Sequence, residues 1–91
     1  MTDWVETERK ERIKQGEAKY GEWSVENFRL TGRSGVNEAI PELLDSISYL
    51  EMGYQLGEIS AGEFQYYQMI LTELAHRLDR RRDANNRTNL P

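Results

Sequence analysis

The chain has 91 residues, a formal net charge of −4, an apolar fraction of 37%, one histidine and no cysteine. A chain of this length buries only about 60 to 65% of its unfolded surface, so two independent cores are excluded and one small domain is expected. Disulfides, thiolate metal sites and a His-rich site within one chain are excluded as well, and the cytoplasm is the expected compartment.

Residues 3–20 read as a helix on propensity, being rich in Glu, Lys, Arg and Gln. Trp4, Val5 and Ile13 give it a poor apolar stripe, so light packing or docking on a neighbouring subunit is expected. The charge in "MTDWVETERKERIKQ" stands where a signal peptide needs an apolar run, and export by that route is not expected. Gly21 suits the left-handed position that follows a helix. Residues 21–36 read as a loop with room for one helical turn, pinned by Trp23 and Phe28. Gly32 and Gly35 bracket Arg33, so the backbone there can bend sharply or approach a ligand closely.

The next segment carries the clearest pattern. Val36, Ile40, Leu43, Ile47, Leu50 and Tyr54 recur at steps of four and three, a seam along one helix face. Pro41 fits the first turn, which starts the regular helix between Asn37 and Pro41, and Gly57 ends it. Ser60 and Glu63 form a capping box for a last helix, where Phe64, Tyr67, Leu71, Leu74 and Leu78 make a second seam. A short "GEI" linker makes the two helices antiparallel neighbours. Arg77, Arg80, Arg81 and Arg82 close that helix, where positive charge complements the dipole, and they offer a surface for a protein partner. Residues 83–91, "DANNRTNLP", are expected to form a disordered tail.

The expected fold is therefore all-α. A single helical domain, residues 1–82, holds an N-terminal helix (3–20), a loop (21–36) and a helical hairpin (37–82). With so little apolar content, a homo-oligomer is expected to complete the seams, most simply as a dimeric four-helix bundle. No stretch approaches a membrane span, and no membrane partner is expected.

Charge is unevenly distributed. Residues 1–33 balance seven acids with seven bases, residues 34–76 hold seven acids and no Lys or Arg, and residues 77–91 hold five arginines. The middle segment repels phosphates, so duplex DNA is not an expected partner. Within it Glu38, Glu42 and Asp45 lie at i, i+4 and i+7, one stripe that either gathers a hard cation or forms a solvated face. Glu73-x-x-His76 is a further fragment of metal chemistry, the spacing that di-iron bundles use, and equally the spacing of two ordinary helix residues.

"EAIPELLDSISYL", with Glu42-x-x-Asp45 and Glu38 one turn earlier, resembles the second acidic motif of the all-α MazG-like nucleotide pyrophosphohydrolases. "RIKQGEAKYGEWS" resembles a segment of their short phage-encoded relatives, and together the similarity covers about residues 12–56. The resemblance implies magnesium held by Glu38, Glu42 and Asp45, with Glu8 and Glu11 as the family's first acidic pair. That pair stands further from Glu42 than the family pattern has it, and Pro41 replaces a common acidic residue. A working enzyme of this kind needs phosphate contacts, for which Lys19, Arg29 and Arg33 are available, and base stacking, for which Tyr20, Trp23 or Phe28 is available. Two functions follow from this reading. The first is a phage- or bacterial-type nucleotide-binding protein of MazG-like character, with magnesium-dependent nucleoside triphosphate pyrophosphohydrolysis as its enzymatic form. The second is a non-catalytic homo-oligomer that sequesters a nucleotide signal or binds and inhibits another protein, as counter-defence factors do.

Overall fold

A computed structural model describes residues 3–88, with side chains described for residues 3–82. The described residues form four helices and no strand: α1 (Trp4–Tyr20), α2 (Val25–Thr31), α3 (Gly35–Gln55) and α4 (Ala61–Thr88). The chain divides into two compact units, Met1–Arg33 and Ser34–Pro91, where the sequence suggests one domain.

In the first unit α1 starts at Asp3, whose Oδ1 accepts the Val5 N–H at 3.1 Å. Glu6 and Arg9 pair at 2.6 Å one turn apart, and the Arg9 guanidinium holds the Glu6 carboxyl below its ordinary range. No residue of α1 is buried, as its poor stripe leads one to expect. Gly21 takes φ 90° and ψ −174°, a glycine conformation but not the left-handed helical well expected there. A Cβ at Gly21 would meet the Asn27 amide at 3.2 Å, so the turn needs glycine twice over. That amide donates from Nδ2 to the Tyr20 carbonyl at 3.3 Å, and the Trp23 N–H donates to Glu17 Oε2 at 3.0 Å. These two bonds tie the segment after α1 back onto it.

The expected loop 21–36 is instead interrupted by α2, a helix of 7 residues. Its ends explain it. Ser24 Oγ accepts the Asn27 N–H at 3.1 Å, and Gly32 at φ 69° closes a Schellman motif with Arg33 N–H donating to the Phe28 carbonyl at 2.9 Å. The serine cap and the glycine stop outweigh the short apolar content between them.

In the second unit α3 begins at Gly35, earlier than the expected start, because Ser34 Oγ caps it by accepting the Asn37 N–H at 3.2 Å. Pro41 therefore lies inside the helix rather than in its first turn. It has no N–H for the Asn37 carbonyl, so the helix lacks one i→i−4 bond at this point, where both residues are exposed. Gly57 at φ 78° ends α3 as expected, with Gly57 and Glu58 N–H donating to the Tyr54 and Gly53 carbonyls at 3.0 and 2.9 Å. The capping box then opens α4: Glu63 N–H donates to Ser60 Oγ and Ser60 N–H to Glu63 Oε1, both at 3.1 Å. The helix continues to Thr88, through residues 83–88 of the expected tail, since no Gly or Pro interrupts that segment; residues 89–91 lie outside the described residues.

Helices α3 and α4 pack together as the hairpin. Val36, Leu43, Ile47 and Leu50 are half-buried on α3, and Ile40 is the one buried residue among those described, at 9% exposure. At the turn end Tyr54 and Phe64 stack at 5.7 Å. On α4 the packed side is rotated from the expected seam: Phe64, Leu71, Thr72, Ala75 and Leu78 are half-buried, whereas Tyr67 and Leu74 stay exposed. Short side chains at 72 and 75 let that side approach α3, leaving the bulkier residues beside the contact.

The backbone N–H of Ser60, then the Ser60 and Tyr67 hydroxyls, hold the Glu63 carboxyl below its ordinary value of 4.5. A carboxyl whose pKa is lowered on folding stabilises the fold above its unfolded value, and the contribution is lost as pH falls through the lowered one. The melting-temperature advantage of the wild type over Glu63→Gln should thus be present at pH 7 and shrink as pH drops below 4.5. A thermal melt series across pH checks it.

Candidate functional site

Two groups of residues stand out, one in each unit. In the first, the Arg33 guanidinium lies over the Phe28 ring at 4.5 Å and the Tyr20 ring at 5.0 Å, and Lys19 Nζ lies 5.3 Å from the Tyr20 ring. Trp23 meets Phe28 edge to face at 5.2 Å and 84°. The structure thus gathers Lys19, Tyr20, Trp23 and Arg33 of the expected nucleotide site around Phe28. The turn bonded through Glu17 and Asn27, and the Schellman motif at Gly32, position them. Tyr20 and Trp23 remain more than half exposed, so ring surface is left for a ligand. Arg29 is exposed in the last turn of α2, and no contact places it in the cluster. A cation over two aromatic rings, beside exposed ring surface, suits a planar, anionic ligand.

The second group is the outer side of α3. Glu38, Glu42 and Asp45 are all exposed, opposite the buried side that meets α4. The Glu42 and Asp45 carboxylates form no ion pair among the described residues. No set of three or more His, Asp or Glu side chains among those residues is arranged to hold a metal ion. Magnesium therefore finds no built cage on this stripe, which is three carboxylates on an open helix face. Glu8 and Glu11 are exposed on α1, in the other unit. Sequence reasoning missed what continues the stripe. Tyr49, Met52 and Leu56 follow Asp45 at steps of four, three and four, and they are 78%, 53% and 69% exposed. The outer side of α3 is acidic in its first half and apolar in its second, a signal that was present in the spacing.

On α4, Glu73 is taken by arginines, with Arg77 Nε at 2.9 Å and Arg80 at 3.9 Å, and Arg77 first holds its carboxyl below the ordinary range. It is thereby committed away from a metal shared with His76. His76 instead lines an open groove of about 260 Å³ with Ile40, Leu44, Ile47, Ala75 and Asp79. Arg82 pairs with Asp79, and Arg81 is exposed. No described helix is long and apolar enough to cross a membrane. No family model matches the chain, and neither a curated protein nor a solved structure does.

Phe28 is the shared platform of the first cluster. In a Trp4→Phe background, Phe28→Ala should move Trp23 emission to longer wavelength, increase its quenching by acrylamide and lower stability by about 1 kcal/mol. Steady-state fluorescence and urea titration measure both.

Proposed function

We propose that the chain acts as a non-catalytic, homo-oligomeric helical protein that works by association. One observation carries this: Ile40 alone is buried among the described residues, while large apolar side chains such as Tyr49, Leu56, Tyr66 and Met69 are more than half exposed. Exposed apolar surface of that density on a hairpin marks an interface. An αα-hairpin with a single contact also supplies too little burial for a stable monomer. Association with further copies covers both deficits. The mass in solution should exceed that of one chain, and the melting temperature should rise with protein concentration. Sedimentation equilibrium and a melt series over a hundredfold concentration range check this, and a concentration-independent monomer would sink it.

A second reading is favoured by the cluster of Arg33 with Tyr20 and Phe28: the oligomer holds a nucleotide there without cutting it. Stacking on Tyr20 or Trp23 accounts for about 1 to 3 kcal/mol in comparable sites, and Lys19 and Arg33 supply positive charge. The resemblance to MazG-like enzymes supports the nucleotide; the open acidic stripe gives hydrolysis no metal cage to work through. A nucleoside triphosphate should raise the melting temperature of the wild type and not of Arg33→Ala, with no pyrophosphate released in the presence of magnesium. Turnover that is lost in Glu42→Gln and Asp45→Asn would restore the hydrolase instead.

A further inference from the structure

Both outer sides of the hairpin carry the same kind of pattern, with charge at one end and apolar residues at the other. On α3 the stripe runs Glu42, Asp45, Tyr49, Met52, Leu56, stepping three, four, three and four. On α4, beside the side that packs on α3, a stripe runs Tyr66, Ile70, Leu74, Arg77, Arg81, stepping four, four, three and four. Each set falls on a single helix face. Tyr66, Ile70 and Leu74 are 57%, 45% and 42% exposed, and the Arg77 side chain is 70% exposed. We propose that the α3 stripe of one copy docks antiparallel on the α4 stripe of a second copy, pairing Asp45 with Arg77 and Met52 with Ile70. The inference rests on the association reading and names its surfaces.

With Asp45 set against Arg77, the remaining positions fall into place. Glu42 lies against Arg81, Tyr49 against Leu74, and Leu56 against Tyr66, all within one residue of register. Every acid meets an arginine and every apolar residue meets another. The occupant is a second copy because this chain supplies both halves of the match. Residues 34–76 contain no Lys or Arg, so within that segment Glu42 and Asp45 have no counter-charge. Arg77 has the capacity for a second carboxylate, since its bond to Glu73 uses Nε and the guanidinium has four further N–H donors. The contact joins α3 of one copy to α4 of another: repeated in one sense it builds a ring or a chain, and closed by a twofold it gives a dimer.

The test uses the full chain, which has no cysteine of its own. Asp45→Arg and Arg77→Asp should each weaken association about tenfold, and the double variant should recover it, because the pair is re-formed with its signs exchanged. Both positions are exposed, so folding is not at stake, and circular dichroism confirms it. Mixed Met52→Cys and Ile70→Cys proteins should cross-link on mild oxidation, while neither does so alone. Self-linking of Ile70→Cys would show α4 on α4 and overturn the proposal, as would an assembly indifferent to the charge variants. In both cases association itself survives. A wild type that is a monomer at every concentration would overturn this contact and the association reading together.

Discussion

The packing of α3 on α4 is the constraint on which the hairpin depends. It buries Ile40, half-buries Val36, Leu43, Ile47 and Leu50, and draws Leu71, Ala75 and Leu78 from the other side. At about 25 cal/mol per Å² of apolar surface removed from water, a single two-helix contact offsets little of the backbone entropy of two long helices. The ends of those helices are therefore unusually well finished. Ser34 caps α3, Gly57 closes it, and Ser60 with Glu63 opens α4. Local bonds define where the helices begin and end, and the seam decides only how they face each other.

The first unit follows a different economy of contacts. Its helix α1 buries nothing, and its order comes from polar ties, Asp3 at one end and Glu17 with Asn27 at the other. Trp23 and Arg33 meet at Phe28, where an arginine takes a position that an aliphatic side chain would occupy in a larger core, while Trp4, Val5, Val25 and Leu30 stay exposed. A ring face against a guanidinium is stable while partly wet, which a small aliphatic cluster is not. The same arrangement that substitutes for a core leaves Tyr20 and Trp23 open to a ligand.

Most of the architecture was legible because its signals are local. The seam of α3, the Gly57 stop, the capping box and the helical hairpin all follow from residues within one or two turns of each other. The departures share a cause. Ser34 caps α3 ahead of its apolar seam, so the helix starts before the seam signals it and Pro41 falls beyond the first turn; Ser24 and Gly32 likewise turn an expected loop into α2. On α4 the spacing identified an apolar arc but not which edge of it meets α3, since that depends on the small side chains at 72 and 75 and not on hydrophobicity. The residues expected to contact a nucleotide were legible only as a list of residue types, and the meeting of Tyr20, Trp23 and Arg33 around Phe28 depends on two turns whose geometry no pattern states. The acidic stripe could be seen, but whether it converges on an ion is a question about neighbouring elements, and among the described residues no group of three such side chains is arranged to hold one.

Charge limits how copies of this chain can meet. Glu38, Glu42 and Asp45 occupy the first half of the outer side of α3, so two such surfaces meeting in parallel would set like charges together at that end. Apolar burial at Tyr49, Met52 and Leu56 would work against that repulsion rather than with it. The hairpin contains one region of opposite sign, the arginines from 77 to 82, and they stand at the far end of α4 from Tyr66 and Ile70. The proposed contact would bring that end of one copy to the start of α3 in the next, covering apolar surface while setting arginines against Glu42 and Asp45. In that contact the separation of sign along the sequence, which looks like an imbalance in one chain, would set the direction in which chains associate.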